Sequence, residues 1–217
     1  MSVIQIENLV VTRGNTIICS VPELTVKSRE HLGVGGDNGS GKTTLLRVIA
    51  GLERHHHGSC RVNLPWRHRV FVGQNPILFR GTVLANAMYG LRAHGRPHAT
   101  ARREALRWLD AFGISKLASA ESTRLSGGER RRTALARAMA FHPDLLLLDE
   151  PLADLDEDGR QRLDNILGDL NDTTVLMSSP SPLPDGLASR YIQLSRMNTA
   201  NMPANVAPNQ ADHFEQH

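Results

Sequence analysis

The sequence feature that most constrains the fold is a glycine-rich run that joins a predicted strand to a predicted helix. Gly36-Asp37-Asn38-Gly39-Ser40-Gly41-Lys42-Thr43 matches the pattern G-x-x-x-x-G-K-[ST]. A strand-like stretch at His31–Gly35 precedes it, and apolar residues recur at helical spacing from Lys42 to Leu52. Glycines let backbone N–H groups turn inward around a phosphate, and the helix N-terminus adds partial positive charge. This order predicts a phosphate-binding loop in an α/β protein with a parallel sheet.

The end of this loop carries two side chains with predicted roles. The Lys42 ammonium can reach the β- and γ-phosphates of a nucleotide, and the Thr43 hydroxyl can ligate Mg²⁺. The residues predicted to bind the nucleotide are Gly36, Asp37, Asn38, Gly39, Ser40, Gly41, Lys42, Thr43 and Thr44.

A pair of carboxylates follows the most apolar stretch of the chain. Leu145–Leu148 is typical of a parallel strand buried on both faces, and Asp149 and Glu150 come directly after it. In α/β sheets, ligands bind at the carboxyl ends of the strands. Asp149 is suited to hold Mg²⁺ directly or through water, and Glu150 can polarise an attacking water. Alone, such a pair more often caps a helix or meets water. Together with the phosphate loop, it predicts catalysis.

A five-residue run narrows the class further. Leu125-Ser126-Gly127-Gly128-Glu129 opens a basic predicted helix and resembles the signature motif of ATP-binding cassette (ABC) proteins. A serine and two glycines at a helix N-terminus form a second anion-binding site. The resemblance implies a head-to-tail dimer of two ABC subunits. In it, Ser126, Gly127, Gly128 and Glu129 of one subunit close over ATP held by the phosphate loop of the other.

Two further positions match the family in order. Gln74, after a predicted strand at Val70–Val72, resembles the glutamine whose side chain meets Mg²⁺ and couples to a helical insertion. Asp156 resembles the acid of a loop that contacts the opposing subunit. The resemblance therefore implies ATP and Mg²⁺ as cofactors. It implies Glu150, Lys42 and Gln74 as catalytic residues, and Thr43, Gln74 and Asp149 around the metal.

The resemblance covers about residues 3 to 195 and implies a P-loop NTPase fold. It implies a RecA-like parallel core with a small antiparallel β subdomain, over residues 1–73 and 142–197. An inserted helical subdomain is expected over about residues 74–141. The composition of residues 198–217 turns to Asn, Ala, Pro and Gln without periodicity, which predicts a disordered tail.

Two positions depart from the family pattern. Arg13 falls where the family has an aromatic residue that stacks on adenine. Its guanidinium could stack instead, worth ~1 kcal/mol, or it could be an ordinary surface arginine. The family's histidine after the last predicted strand, Thr174–Met177, falls on or beside Pro180. Proline has no side-chain hydrogen bond to offer, so we expect slow hydrolysis with nucleotide binding kept, with partial rescue by Ser178 or Ser179.

Several features point away from other functions. The net charge is +3, but only 4% of residues are aromatic, so no stacking platform for nucleic acid is expected. Cys19 and Cys60 give no disulfide framework, which favours a reducing compartment. The N-terminus lacks the apolar core of a signal peptide, and no apolar run approaches the ~20 residues of a membrane span. His55–His57 is interpreted as a solvated loop rather than a metal site.

The resemblance leaves three functional classes open. The first is the ATPase subunit of a membrane transporter, at the cytoplasmic face of the membrane, working with permease subunits that dock near Gln74–Tyr89. The stretches 74–79 and 86–91 resemble importers of oxyanions such as tungstate, molybdate or phosphate, although lipoprotein-type exporters share much of this pattern. The second class, a cassette ATPase acting on DNA or ribosomes, is disfavoured by the short Gln74–Leu125 interval and the single cassette. The third is a nucleotide-gated scaffold with weak hydrolysis, which Pro180 and Arg13 favour and Glu150 disfavours.

Overall fold

A computed structural model describes residues 1–196 of the chain. The predicted tail at residues 198–217 lies outside the described residues. Eight strands and five α-helices follow one another along residues 1–196. The strands are β1 (Ser2–Arg13), β2 (Thr16–Lys27), β3 (His31–Gly35), β4 (His57–Val62), β5 (Arg69–Val72), β6 (Leu145–Asp149), β7 (Thr174–Ser178) and β8 (Arg190–Gln193). The helices are α1 (Lys42–Ala50), α2 (Val83–Ala93), α3 (His98–Ala111), α4 (Gly127–Ala140) and α5 (Glu157–Gly168).

The strands form two sheets, as the predicted fold class requires. A three-stranded antiparallel sheet has the order β2-β1-β4, and a five-stranded sheet has the order β5-β6-β7-β3-β8. Every neighbouring pair in the larger sheet is parallel. The predicted fold class, a parallel P-loop core beside a small antiparallel sheet with helical elements, is confirmed.

Two hydrophobic clusters cover the two faces of the parallel sheet. Alternate residues of β6 face opposite sides, so Leu145 and Leu147 join the cluster around α1 and the antiparallel sheet. Leu146 and Leu148 join the cluster with α2, α3 and α4. All five residues of β6 are buried, as expected of a strand covered on both faces. Between β5 and β6 lie the three helices α2, α3 and α4, inside the stretch assigned to the helical insertion.

The structure corrects one local prediction. The sequence predicts a solvated loop over His55–His57. His55 and His56 lie outside the strands and helices, but His57 begins β4 and pairs with Val10 of β1. The error arose because strand pairing depends on β1, about fifty residues earlier in the chain, and not on local composition. The side chain of His55 is 98% exposed.

Within residues 1–196, no helix is both long enough and apolar enough to cross a membrane.

Candidate active site

The phosphate-binding loop lies between β3 and α1, where its glycines adopt conformations that other residues avoid. Gly39 and Gly41 have φ angles of 82° and 96°, and Gly41 caps the N-terminus of α1. A Cβ atom on Gly41 would lie 2.5 Å from the carbonyl oxygen of Ile18 in β2. The antiparallel sheet therefore packs directly against the loop, and only glycine fits where they meet.

Lys42 lies under the loop rather than in solvent. The residue is 5% exposed, and its Nζ donates to the carbonyl oxygens of Gly36 at 2.6 Å and Asp37 at 3.0 Å. These contacts hold a buried ammonium beside the backbone that the sequence predicts to surround a phosphate. Asp37, Asn38 and Gly39 are exposed at the top of the loop, so they can contact a ligand.

The ends of β6 and β7 bring the predicted metal residues together. The Thr43 hydroxyl donates to Asp149, with its Oγ1 2.9 Å from Oδ2 and 3.1 Å from Oδ1. The Ser178 hydroxyl donates to Asp149 Oδ1 at 2.6 Å. Hydroxyl and carboxylate oxygens are the ligands that Mg²⁺ prefers. The donor set at the end of the phosphate loop therefore fits a magnesium ion, with Thr43 and Asp149 as the residues that would hold it.

Glu150 and Gln74 meet beside this pair. Gln74 Nε2 donates to Glu150 Oε2 at 2.8 Å, although 76 residues separate them in the sequence. β5 and β6 are parallel neighbours, so the residues that follow them meet at one edge of the sheet. Glu150 has a φ angle of 49°, an uncommon conformation for a residue with a side chain. A strained backbone that aims a carboxylate at the ligand edge is typical of functional sites.

The signature run forms an exposed helix start. Ser126 Oγ accepts a hydrogen bond from the Glu129 backbone N–H at 3.3 Å, and Glu129 Oε2 accepts from the Ser126 backbone N–H at 2.8 Å. This reciprocal pair is a capping box. The hydrogen bonds from Ser126 lower the pKa of the Glu129 carboxyl. Ser126 and Gly127 remain exposed, so the helix N-terminus is accessible to an anion.

The loop that the resemblance assigns to the subunit interface lies against this helix start. A Cβ atom on Gly128 would lie 2.9 Å from the carbonyl oxygen of Asp154. Asp156 Oδ1 accepts from the Gly159 backbone N–H at 2.9 Å, so Asp156 caps α5. Arg132 of α4 lies 3.5 Å from Asp156 and 3.4 Å from Asp158. Within one chain, Asp156 thus orders the loop that is predicted to face a second subunit.

The two departures from the family pattern have different surroundings. The Arg13 guanidinium is 68% exposed and lies 3.6 Å from Glu53, so its stacking on adenine stays a prediction. Pro180 is exposed and lines, with Glu150 and Ser179, a cavity of about 580 Å³. Ser178 lies at the end of β7, and its Oγ also accepts from the Glu150 backbone N–H at 2.9 Å.

Sequence reasoning did not predict the burial of one residue at this site. Arg131 belongs to the basic run of α4, yet it is 1% exposed. The sequence signal is weak, because Arg131 is the middle one of three consecutive arginines that follow the signature run. Helical position alone could have favoured an inward side chain, because residues three and four positions apart share a face.

The fold and this geometry define a P-loop nucleotide-binding cassette. A model of the family described as "ABC transporter" matches residues 20–153. The chain therefore belongs to the ABC transporter family and carries its ATP-binding domain.

Similar proteins agree with this assignment. The sulfate/thiosulfate import ATP-binding protein CysA of Mesorhizobium japonicum is 41% identical over 190 residues, which cover 80% of this chain and 55% of that protein. CysA of Shigella flexneri is 35% identical, covering 95% of this chain and 60% of that protein. The chain thus spans little more than half the length of the curated relatives it matches.

Two solved structures share the fold. One is a dimeric ATP-binding cassette in a post-hydrolysis state with ADP and Pi; it has a TM-score of 0.80 and 25% identity, and the match covers 90% of this chain and 97% of that one. The other is an inward-facing ABC transporter of the metal-chelate type; it has a TM-score of 0.76 and 28% identity, and the match covers 93% of this chain and 85% of that one.

Proposed function

We propose that this chain binds and hydrolyses ATP as the cytoplasmic subunit of an ABC importer. The observation that carries the hydrolytic part is the convergence of Gln74, Asp149 and Glu150 beside Thr43 of the phosphate loop. In this proposal, Lys42 contacts the β- and γ-phosphates from beneath the loop, and the loop backbone N–H groups bind the β-phosphate.

Mg²⁺ would be held by Thr43 and Asp149, with Gln74 at its edge. When bound, it neutralises charge on the phosphate oxygens. Glu150 accepts a proton from the attacking water, and the Gln74 amide orients that carboxylate through the hydrogen bond seen in the structure. The water oxygen forms the new bond to the γ-phosphorus, and the bond from that phosphorus to the β–γ bridging oxygen breaks.

The test of hydrolysis is the Glu150→Gln variant. Turnover by the purified chain, measured as phosphate release, is expected to fall ~10²–10⁴-fold because the amide cannot accept the proton. Binding of ATP is expected to remain, because Glu150 does not contact the phosphate loop in the proposed arrangement. Glu23→Gln makes the same chemical change at an exposed residue of β2 and is the matched control. Equal turnover in the Glu150→Gln variant and the wild type would refute the assignment of Glu150.

Pro180 supports a slow rate within this function. Ser178 Oγ is already engaged with Asp149 and with the Glu150 backbone, so it does not replace a histidine. Ser179 Oγ accepts from the Ser181 backbone N–H at 3.3 Å and keeps its own hydrogen free to donate. We therefore expect Ser179 to rescue the rate only in part and Pro180→His to raise turnover. A Pro180→His variant with wild-type turnover would contradict this explanation.

The dimer proposal follows from the exposed signature run. Ser126, Gly127 and Gly128 lie at the N-terminus of α4, whereas the phosphate loop of the same subunit lies between β3 and α1. The two anion sites of one subunit are therefore on separate elements. A second copy, arranged head to tail, would bring that helix start to the bound ATP. The Glu150→Gln variant is expected to elute as a dimer with Mg²⁺-ATP and as a monomer with EDTA. A monomer in both conditions would count against the ATP-held dimer.

The permease proposal draws on the exposed surface after β5. Ile77 is 81% exposed and Tyr89 is 50% exposed, and the Phe79 and Tyr89 rings lie 4.2 Å apart. An exposed apolar patch of this kind marks an interaction surface. The names of the similar CysA proteins support import of an oxyanion such as sulfate. Co-purification from solubilised membranes would identify the permease, and recovery with ribosomes or DNA alone would overturn the transporter assignment.

A further inference from the structure

Arg131 is a buried cation in α4 that none of the roles above uses. Its side chain is 1% exposed, and arginine is almost never buried this fully unless it is paired or hydrogen-bonded. Burial lowers the pKa of its guanidinium, and the carboxylates of Asp154, Asp149 and Glu150 raise it. The side chain therefore lies among the acidic residues of the candidate active site.

Most contacts of Arg131 are to backbone carbonyl groups. Its Nη2 donates to the carbonyl oxygen of Gln74. Its Nη1 lies 3.4 Å from the carbonyl oxygen of Asp149 and 3.5 Å from that of Gly73. The nearest carboxylate oxygen, on Asp154, is farther away at 3.9 Å, and that side chain is 62% exposed. One guanidinium therefore joins the chain after β5 to the end of β6.

The Asp149–Glu150 peptide group is held at both of its polar atoms. Its carbonyl oxygen faces Arg131, and its N–H donates to Ser178 Oγ at 2.9 Å. This peptide leads into the positive φ angle of Glu150. Because that conformation is unfavourable for a non-glycine residue, it persists only where surrounding contacts fix it. Arg131 and Ser178 are two such contacts, and the Ala153 N–H, which donates to the Glu150 carbonyl oxygen at 3.1 Å, is a third.

We infer that Arg131 is a positioning residue for ATP hydrolysis, fixing the backbone of Gln74 and of Glu150 so that their side chains meet. The inference rests on the proposed ATPase function. Gln74 and Glu150 lie after different strands, so their 2.8 Å hydrogen bond depends on the relative position of two loops. The planar fork of arginine reaches both loops at once. Lysine, with a single ammonium, reaches only one of them well.

The experiment compares Arg131→Gln and Arg131→Lys with a matched control on the same helix. Arg137 is half-buried and donates to the Ile77 carbonyl at 2.9 Å, so Arg137→Gln removes a similar arginine that does not contact Asp149 or Gln74. For each variant we would measure kcat, KM for ATP, binding of ATP and the thermal midpoint. Wild-type turnover is measured first.

A positioning role predicts a split between kcat and KM. Arg131→Gln should lower kcat about 10²-fold, the effect of roughly 1 Å of misplacement. Its KM should stay within about threefold, because the phosphate loop is untouched. Arg131→Lys should remain about tenfold below wild type. Arg137→Gln should keep kcat within about threefold of wild type, even if its thermal midpoint falls as far as that of Arg131→Gln.

Each contrary result has a distinct meaning. A folded Arg131→Gln variant with wild-type kcat, or with a raised KM alone, would overturn the inference while leaving the ATPase proposal intact. Wild-type protein that binds ATP without turnover would refute the ATPase proposal, and the inference with it. If Arg131→Gln did not fold, Arg131→Lys would decide, because it keeps a buried cation but loses the planar fork. The inference requires Arg131→Lys to keep kcat about tenfold below wild type with KM unchanged, and wild-type kcat in that variant would overturn it.

Discussion

Replacing Gly41 by alanine is expected to destabilise the chain more than the same change at Gly51. Both residues have positive φ angles, 96° at Gly41 and 78° at Gly51. They differ in surroundings, because a Cβ on Gly41 would lie 2.5 Å from the Ile18 carbonyl oxygen and 2.8 Å from the Cys19 Cβ. A Cβ on Gly51 would meet no atom within 4 Å. The pair therefore separates the cost of backbone conformation from the cost of steric overlap.

The magnitudes follow from these two terms. A left-handed conformation costs a residue with a Cβ roughly 1–2 kcal/mol, which is the whole expected loss for Gly51→Ala. The same conformational cost of about 1–2 kcal/mol applies at Gly41, and the overlap with backbone adds about 1–3 kcal/mol. Gly41→Ala should therefore lower the free energy of unfolding by ~2–5 kcal/mol.

Urea unfolding followed by tryptophan fluorescence would measure both losses, and titration with ATP would report on the loop itself. If the loop shifts to relieve the overlap, part of the expected loss will appear as weaker ATP binding instead. Gly51→Ala should bind ATP as the wild type does. Equal stability and equal ATP affinity in the two variants would refute the reasoning that the packing of β2 against the loop requires glycine.

Three further predictions concern capping and ionisation. Asp156→Ala should lower the free energy of unfolding by ~1 kcal/mol, because the Gly159 N–H loses its hydrogen-bond acceptor. Asp156→Asn keeps an acceptor oxygen and should keep most of that stability. Equal urea midpoints for the two variants would show that the cap is unimportant. Because folding lowers the pKa of Glu129, its contribution is present above the unfolded value of 4.5 and lost as pH falls through the lower folded value. Glu129→Gln should flatten the acid limb of a stability–pH curve, and an unchanged limb would contradict this. Burial raises the pKa of Cys19 to about 12 and that of Cys60 to about 11. At pH 8 a thiol reagent should therefore react slowly with both cysteines until urea unfolds the protein. Rapid reaction in the native protein would argue against this burial.

The Asp149 and Glu150 carboxylates show what the local sequence pattern can predict and what it cannot. The four leucines of β6 predicted a strand buried on both faces, and parallel sheets bind ligands at the carboxyl ends of their strands. The position of the acidic pair therefore followed from the sequence. The hydrogen bond from Gln74 to Glu150 could not be predicted from residue patterns alone, because it depends on β5 pairing with β6 across three intervening helices.

By itself, the sequence determined the elements whose chemistry lies in consecutive residues: the phosphate loop, the acidic strand end and the capped signature helix. Each is specified by backbone conformation and short-range hydrogen bonds, so a few residues suffice. Only the tertiary structure decided that His57 joins β4, that Ser178 bridges Asp149 and Glu150, and that Arg131 is buried against three backbone carbonyls. Those outcomes depend on partners distant in the chain, and burial of a cation is favourable only where folding brings enough acceptors around it.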